Sequence, residues 1–255
     1  MIGGLDPCGG AGISADARTL LAHGCEALPV AAVIAVQNRF GMQRVEVLEE
    51  ALVLAQLRAA LDDGGIAAVK TGLLGSASMV RAVAQWLQRF APPVPVVVDP
   101  VLSATAGGYA CAAQVAEAYR ETLAPLAAMF TPNEPELVAV LAGSPVLALL
   151  DAGCAAVLHK GGHGPGDVLV DRLLRCGGEQ QFAHRRIAVG PVHGTGCALA
   201  SAIAAHLAHG RPLAMAAERA VAWLQRCLAT LSPLENASSV GSLPRPLPIL
   251  HADAS

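Results

Sequence analysis

Among the strings in this chain, His193-Gly194-Thr195-Gly196-Cys197 has the residue types and spacing best suited to chemistry, and it runs straight into Ala198-Leu199-Ala200-Ser201-Ala202-Ile203. Glycines let consecutive backbone amides turn toward one point, and the unpaired N–H groups at the start of the following helix favour an anion there. Gly194, Thr195 and Gly196 are therefore candidates for an anion hole, with a phosphate as the natural guest. Cys197 falls in the first helical turn, where the dipole and free amides are expected to lower a thiol's pKa and make it a proton acceptor or donor. A plain glycine turn ahead of a buried helix, with Cys197 an inert small hydrophobe, explains this string equally well when it is taken alone.

The other polar loops break the tie. Asp6-Pro7-Cys8-Gly9-Gly10-Ala11-Gly12 is followed by Asp16 early in a helix. Gln37-Asn38 ends an apolar run and offers an amide that both donates and accepts toward a heterocycle. Asp99-Pro100-Val101, Thr131-Pro132-Asn133-Glu134-Pro135-Glu136 and Lys160-Gly161-Gly162-His163 each close a further apolar run. Each has a plain explanation on its own: helix caps for Asp99 and Asn133, solvated charges for Asp16, Glu136 and Lys160. Together they put carboxylates suited to Mg²⁺, a cation suited to a transferring phosphoryl group and an anion hole on one rim. That combination describes phosphoryl transfer. No glycine loop ends in Gly-Lys-Ser or Gly-Lys-Thr, so the P-loop route is excluded. The pairs His159/His163 and His206/His209 lack an obvious third metal ligand nearby.

Elements must hold these loops on one side. Apolar, β-branched runs at 27–36, 67–71, 94–98, 127–130 and 155–159 alternate with helical patterns, which predicts a mainly parallel sheet covered by helices on both faces. Loops that follow parallel strands gather at one sheet edge, where ligands of open α/β folds bind. The periodicity predicts a helix over 77–90 with Val80, Val83, Ala84 and Leu87 inward. A second, before the second strand, would turn Leu52, Ala55 and Ala59 inward, and a mostly buried one would cover 196–207. We expect one domain over 1–231 and a loosely packed Pro/Ser-rich tail over 232–255. Only Met1 and Ile2 precede the first glycine-rich loop, so the first strand is expected to be truncated and the biological start to lie upstream.

Composition excludes several classes. The 255 residues are 54% apolar, yet the longest charge-free apolar run, 27–36, is too short to span a membrane and contains Pro29. Charged residues make up 15% and the net charge is -3, so no basic stripe selects nucleic acid or an anionic membrane. Seven cysteines with no CxxC pair argue against a disulfide framework and a zinc knuckle. With no signal-peptide pattern at the start, a cytoplasmic location is expected.

The motifs GLDPCGGAG with Asp16, AVQN, VKTG, VVVDPVL, TPNEPE, HKGGH and HGTGC occur in one order from Gly4 to about Leu228. In this they resemble the hydroxymethylpyrimidine/phosphomethylpyrimidine kinases of thiamine biosynthesis, a branch of the ribokinase-like family. The resemblance implies a three-layer α/β/α fold, ATP as phosphoryl donor, Mg²⁺ and a homodimer. The implied activity is two successive phosphorylations of 4-amino-5-hydroxymethyl-2-methylpyrimidine, first to the monophosphate and then to the diphosphate. It implies that Cys197 helps deprotonate the hydroxymethyl group, standing where sugar-kinase relatives carry an aspartate. Lys160 would balance phosphate charge. Asp99, Asn133 and Glu136 would organise Mg²⁺ and the triphosphate, with Gly194, Thr195 and Gly196 as the anion hole. The pyrimidine would meet the Gly4 backbone, Asp16, Gln37, Leu73 and Val101, with Asp16 and Gln37 bonding its polar edge. The family often has Ser at Cys8, Met at Leu73 and a Lys or Ser-rich loop where this chain has the uncharged 102–108.

Three rivals remain at this point: pyridoxal kinase activity on the same fold, a non-catalytic pyrimidine-binding protein, and a thiol hydrolase using Cys197 with His193 or His163. The last leaves Lys160, Asp99 and Glu136 without a role.

Overall fold

The computed structural model describes residues 1–38, 41–62, 64–90, 94–103, 110–164, 166–231 and 245–252. The apolar runs form the middle of one nine-stranded sheet: β1 (Ile2–Leu5), β2 (Val30–Asn38), β3 (Gly41–Val47), β4 (Val69–Thr71), β5 (Val96–Val98), β6 (Met129–Phe130), β7 (Ala156–His159), β8 (Val168–Arg175) and β9 (Gly178–Arg185). Their spatial order is β3-β2-β1-β4-β5-β6-β7-β8-β9. The strands from β2 to β7 in that row run parallel. β3 closes one side, and β8 with β9 the other, in antiparallel pairing.

The helices are α1 (Gly12–Ala22), α2 (Glu50–Asp62), α3 (Ala77–Phe90), α4 (Ala113–Ala118), α5 (Glu134–Leu141), α6 (Leu147–Asp151), α7 (Thr195–Ala208) and α8 (Leu213–Ala229). Successive strand residues point to opposite faces, so a strand buried on both sides must be apolar at every position. β5 shows this directly: Val98 joins a core with α2, α3 and α4, while Val97 joins a second core with α7 and α8. The result is the expected three-layer α/β/α sandwich.

α3 spans 77–90 as its periodicity predicts, with Val80, Val83, Ala84 and Leu87 buried and joined by Met79 and Trp86. Burying each of its large apolar side chains contributes roughly 1.5–3 kcal/mol. α7 is buried from Ala198 to Leu207, again as expected. α2 differs. Its inward residues are Val53 and Leu57, whereas Leu52, Ala55 and Ala59 are exposed. Two apolar stripes compete on that helix, and the one with two large side chains a turn apart goes to the sheet.

The first strand also needs correcting. Gly3, Gly4 and Leu5, read from sequence as loop, belong to β1, which pairs with β2 along all four of its residues. On the other side it pairs with β4 only at Ile2 and Thr71. The Met1 ammonium donates to the Leu28 carbonyl oxygen at 2.9 Å, and burial pulls its pKa down to about 6. Beneath it lies a cavity of about 330 Å³ lined by Leu20, Leu28, Leu57, Leu61 and Trp86 among others.

Part of the expected tail is packed. β10 (Val192–His193) and β11 (Arg245–Pro246) form a small parallel sheet. Leu247 is buried, Trp223 Nε1 donates to the Leu250 carbonyl at 3.0 Å, and Ala252 N donates to the Ala22 carbonyl at 2.8 Å. Most of the uncharged loop noted above, 104–109, lies outside the described residues. Among the described residues no helix is long and apolar enough to cross a membrane.

Candidate active site

The carboxyl ends of the parallel strands deliver Asp6, Gln37, Gly72, Asp99, Thr131 and Lys160 to one edge of the sheet. A cavity of about 540 Å³ opens there, and all the residues singled out in the sequence line it: Gly4, Asp16, Gln37, Leu73, Asp99, Val101, Asn133, Glu136, Lys160, Gly194, Thr195, Gly196 and Cys197.

At one end, Gly194 caps α7 in the left-handed region, with φ of 83°. A Cβ there would collide with the Gly10 carbonyl oxygen, so glycine is required twice over, by dihedral angle and by space. Gly194→Ala is expected to destabilise the fold by about 2 kcal/mol or more and to widen the loop. Thermal unfolding together with nucleotide affinity checks this; an unchanged melting temperature would refute it. A Cβ on Gly196 would lie 3.3 Å from Lys160 Nζ and 3.9 Å from Asp99 Oδ2, so the bare glycine leaves the start of α7 open to the charged groups opposite.

Those groups form a compact cluster. Lys160 Nζ donates to Asp99 Oδ1 at 3.0 Å and stands 3.8 Å from Glu136 Oε2. Thr131 Oγ1 also donates to Asp99 Oδ1, at 3.3 Å. Burial disfavours the Lys160 charge, but Asp99 and Glu136 outweigh it and raise the ammonium's pKa. Burial, with Asp99 adding to it, pushes Glu136 up against the pull of Lys160. Asn133 and Glu136 form a capping box at the start of α5: Glu136 N donates to Asn133 Oδ1 at 2.9 Å and Asn133 N donates to Glu136 Oε2 at 2.8 Å. The cap role weighed for Asn133 is therefore present, on the cavity wall.

Two expectations change. Asp16 is fully buried, and both its oxygens are occupied: Lys70 Nζ donates to them at 2.9 and 2.8 Å, and Ser201 Oγ to Oδ1 at 2.8 Å. Its carboxylate holds Lys70 rather than presenting a free edge to a ring. Burial works against both charges; it pushes Asp16 up, while at Lys70 the neighbouring carboxylate prevails and keeps the ammonium protonated. The second change is Cys197. The helix start does not dominate its thiol. Burial pushes it up to about 12, against the charge of Lys70 and a hydrogen bond from the Gly12 amide, with Asp16 and Asp99 adding to the rise.

Beside the anion loop the cavity wall is shaped by Asp6, which the sequence analysis named within its glycine-rich loop but gave no role. Its carboxylate accepts hydrogen bonds from the amides of Cys8 at 2.8 Å, Gly10 at 3.1 Å and Ala11 at 2.9 Å. His193 Nε2 lies 3.1 Å from Oδ2, and the Gln37 side chain also bonds to it. Burial alone would raise this carboxyl; the bonds from His193, Gln37, Cys8 and Ala11 win and hold it at about 2. Lys70 was also missed, although a lysine inside an apolar strand demands a buried partner. So was Asp171 on β8, whose Oδ1 accepts from Gly161 N at 2.7 Å and whose Oδ2 lies 3.1 Å from His184 Nε2, fixing the loop after Lys160.

Among the described residues no group of three His, Cys, Asp or Glu side chains is placed to hold a metal. Asp99 and Glu136 nonetheless supply two hard oxygen donors, and Asp99 Oδ2 faces the glycine loop. That set suits Mg²⁺, which is commonly bound by one or two carboxylates with substrate phosphates and water completing the shell.

The family model described as phosphomethylpyrimidine kinase matches residues 6–242. The hydroxymethylpyrimidine/phosphomethylpyrimidine kinase of Salmonella typhimurium is 37% identical over 250 residues, covering 94% of each chain. Among solved structures, an ADP complex of Bacillus subtilis pyridoxal kinase aligns with a TM-score of 0.81 at 27% identity, covering 96% of this chain and 95% of that one. The phosphomethylpyrimidine kinase of Clostridium difficile aligns with a TM-score of 0.72 at 29% identity, over 88% of this chain and 97% of that one. With that match running through both glycine loops, Asp99 and Lys160, the chain belongs to the phosphomethylpyrimidine kinase family.

Proposed function

We propose that this chain transfers the γ-phosphoryl group of ATP to the hydroxymethyl group of 4-amino-5-hydroxymethyl-2-methylpyrimidine, and then phosphorylates that monophosphate to the diphosphate, as a step toward thiamine. The observation that carries the reading is the convergence of Lys160, Asp99 and the Gly194–Gly196 loop on one cavity that Gln37 and Leu73 also line.

The roles follow from position. Gln37 reads the polar edge of the ring, the Gly4 backbone approaches it closely, and Leu73 and Val101 supply apolar surface. A Cβ on Gly4 would meet Leu73 at 3.4 Å, an ordinary contact, so the two residues line the same stretch of wall. The amides of Gly194, Thr195 and Gly196 face developing negative charge, and Lys160 neutralises it across from them. Asp99 and Glu136 would hold Mg²⁺, which when bound shields the phosphate oxygens from one another. Asn133 keeps Glu136 in place through the capping box. Cys197 stands at the head of α7, where the substrate hydroxyl must lose its proton. Burial keeps its thiol protonated at rest, so it takes the hydroxyl proton only as the thiolate, after its own proton has passed to water or to a phosphate oxygen of the bound substrates.

The test is ATP consumption with hydroxymethylpyrimidine and Mg²⁺, products identified by mass, on this chain and on Cys197→Ala. Successive mono- and diphosphate are expected, with turnover falling about 10²-fold in the variant. Turnover of pyridoxal in place of the pyrimidine would favour the second reading, which rests on the close structural match to a pyridoxal kinase. Binding of pyrimidine without ATP consumption would make the chain a non-catalytic binder. A homodimer and a cytoplasmic location complete the reading and rest on family membership.

A further inference from the structure

We propose that Asp6 is a positioning residue that joins the residue that reads the ring to the loop that gathers phosphate charge, with His193 as its contact on the phosphate side. The inference rests on the phosphoryl-transfer reading above.

Asp6 is 3% exposed and sits between two loops that are 187 residues apart in sequence at its contact with His193. Three of its bonds, from Cys8, Gly10 and Ala11, fix the glycine-rich loop after β1. Cys8, whose amide it holds, in turn donates its thiol to the Gln37 carbonyl oxygen at 3.4 Å, so the loop that Asp6 fixes reaches the residue that reads the ring. His193 is the residue immediately before Gly194, so its position sets where the anion loop begins. The loops meet closely: a Cβ on Gly10 would come 2.6 Å from His193 Cδ2, and one on Gly194 would strike the Gly10 carbonyl. His193 is also restrained from behind, because its backbone pairs with β11. A ring that draws Gln37 into place therefore acts on a loop whose carboxylate also holds His193, at the head of the anion loop. Once that geometry is set by one ligand, the second finds it prepared, which is positive coupling between pyrimidine and nucleotide.

The experiment measures the affinity of the Mg²⁺ complex of AMP-PCP by calorimetry, with and without saturating hydroxymethylpyrimidine, in the native chain, His193→Phe and His193→Gln. Phenylalanine keeps a ring against Gly10 but loses the bond to Asp6; glutamine keeps a donor. The native chain is expected to bind nucleotide about tenfold tighter when the pyrimidine is present, within the usual range of coupling. His193→Phe is expected to bring that ratio down to about 1 while pyrimidine alone binds within about threefold of native, and His193→Gln to keep most of the ratio. A residue that only stabilises the fold would weaken both ligands and leave the ratio intact. Equal ratios in the native chain and His193→Phe overturn the proposal. So does a native ratio of 1 with both ligands bound. If His193→Phe does not fold, a His193→Gln ratio of 1 overturns it and a retained ratio supports it. Failure of the native chain to bind the pyrimidine at all would bring down the underlying reading as well, a distinct result from loss of coupling alone.

Discussion

Lys160→Met is expected to lower turnover by about 10³-fold, the range seen when one preorganised charge donor is removed from a transition state. Methionine keeps most of the stem's length and volume but not the charge that stands 3.0 Å from Asp99. If the lysine acts on charge that develops during transfer, kcat should carry the loss, with the pyrimidine affinity nearly unchanged, because other residues, Gln37 and Leu73 among them, hold the ring. The substitution also leaves Asp99 and Glu136 without their cation. Glu136, already pushed up by burial, then takes up a proton more readily, so some stability is lost as well. Steady-state kinetics beside calorimetric binding of the pyrimidine separates these effects. A fall of less than tenfold in a folded variant would remove Lys160 from the mechanism.

Lys70→Met is expected to act on stability, costing about 3–5 kcal/mol, since it strands a fully buried carboxylate. In a chain of this size that corresponds to a melting temperature lower by on the order of 10 °C or more. The sign of its pH dependence can be worked out. Without its cation, Asp16 must hold a proton in the folded state, so its folded pKa lies above the unfolded value of about 3.9. The stability of the variant is then fullest below that value and is lost as pH rises toward the raised pKa, a steeper slope than in the native chain, where Lys70 opposes the rise. Replacing both partners, as Asp16→Leu with Lys70→Met, should recover much of the loss, because two apolar groups of similar size leave nothing unpaired except Ser201 Oγ, which can turn to its own helix carbonyl. Thermal melts at several pH values check both statements. A single variant as stable as the native chain would mean the pair contributes nothing.

The residues legible in the sequence were those whose meaning is local. Asp99 and Lys160 each follow an apolar run that can only be a buried strand, so the edge they share followed from the alternation of strands and helices, while the Gly194–Cys197 string stood out as glycines opening into an apolar helix. β8 and β9 did not stand out. They lie at the sheet's edge, where Arg172, Arg175 and Glu179 interrupt the apolar pattern and antiparallel pairing needs only one buried face. Asp16 shows a different limit. Its partner, Lys70, is 54 residues away, and no spacing rule announces that two charges will meet inside the core. Cys197 shows a third. The helix start and burial push its thiol in opposite directions, and which wins depends on packing from Gly12 and on carboxylates supplied by other strands.

The buried thiol at the head of α7 has a practical consequence. Pushed up to about 12, Cys197 is almost wholly protonated at neutral pH, so a maleimide or iodoacetamide label should react first at Cys176, which is exposed in the turn between β8 and β9. A dye attached at that turn would report on the edge of the sheet while leaving the cavity thiol unmodified.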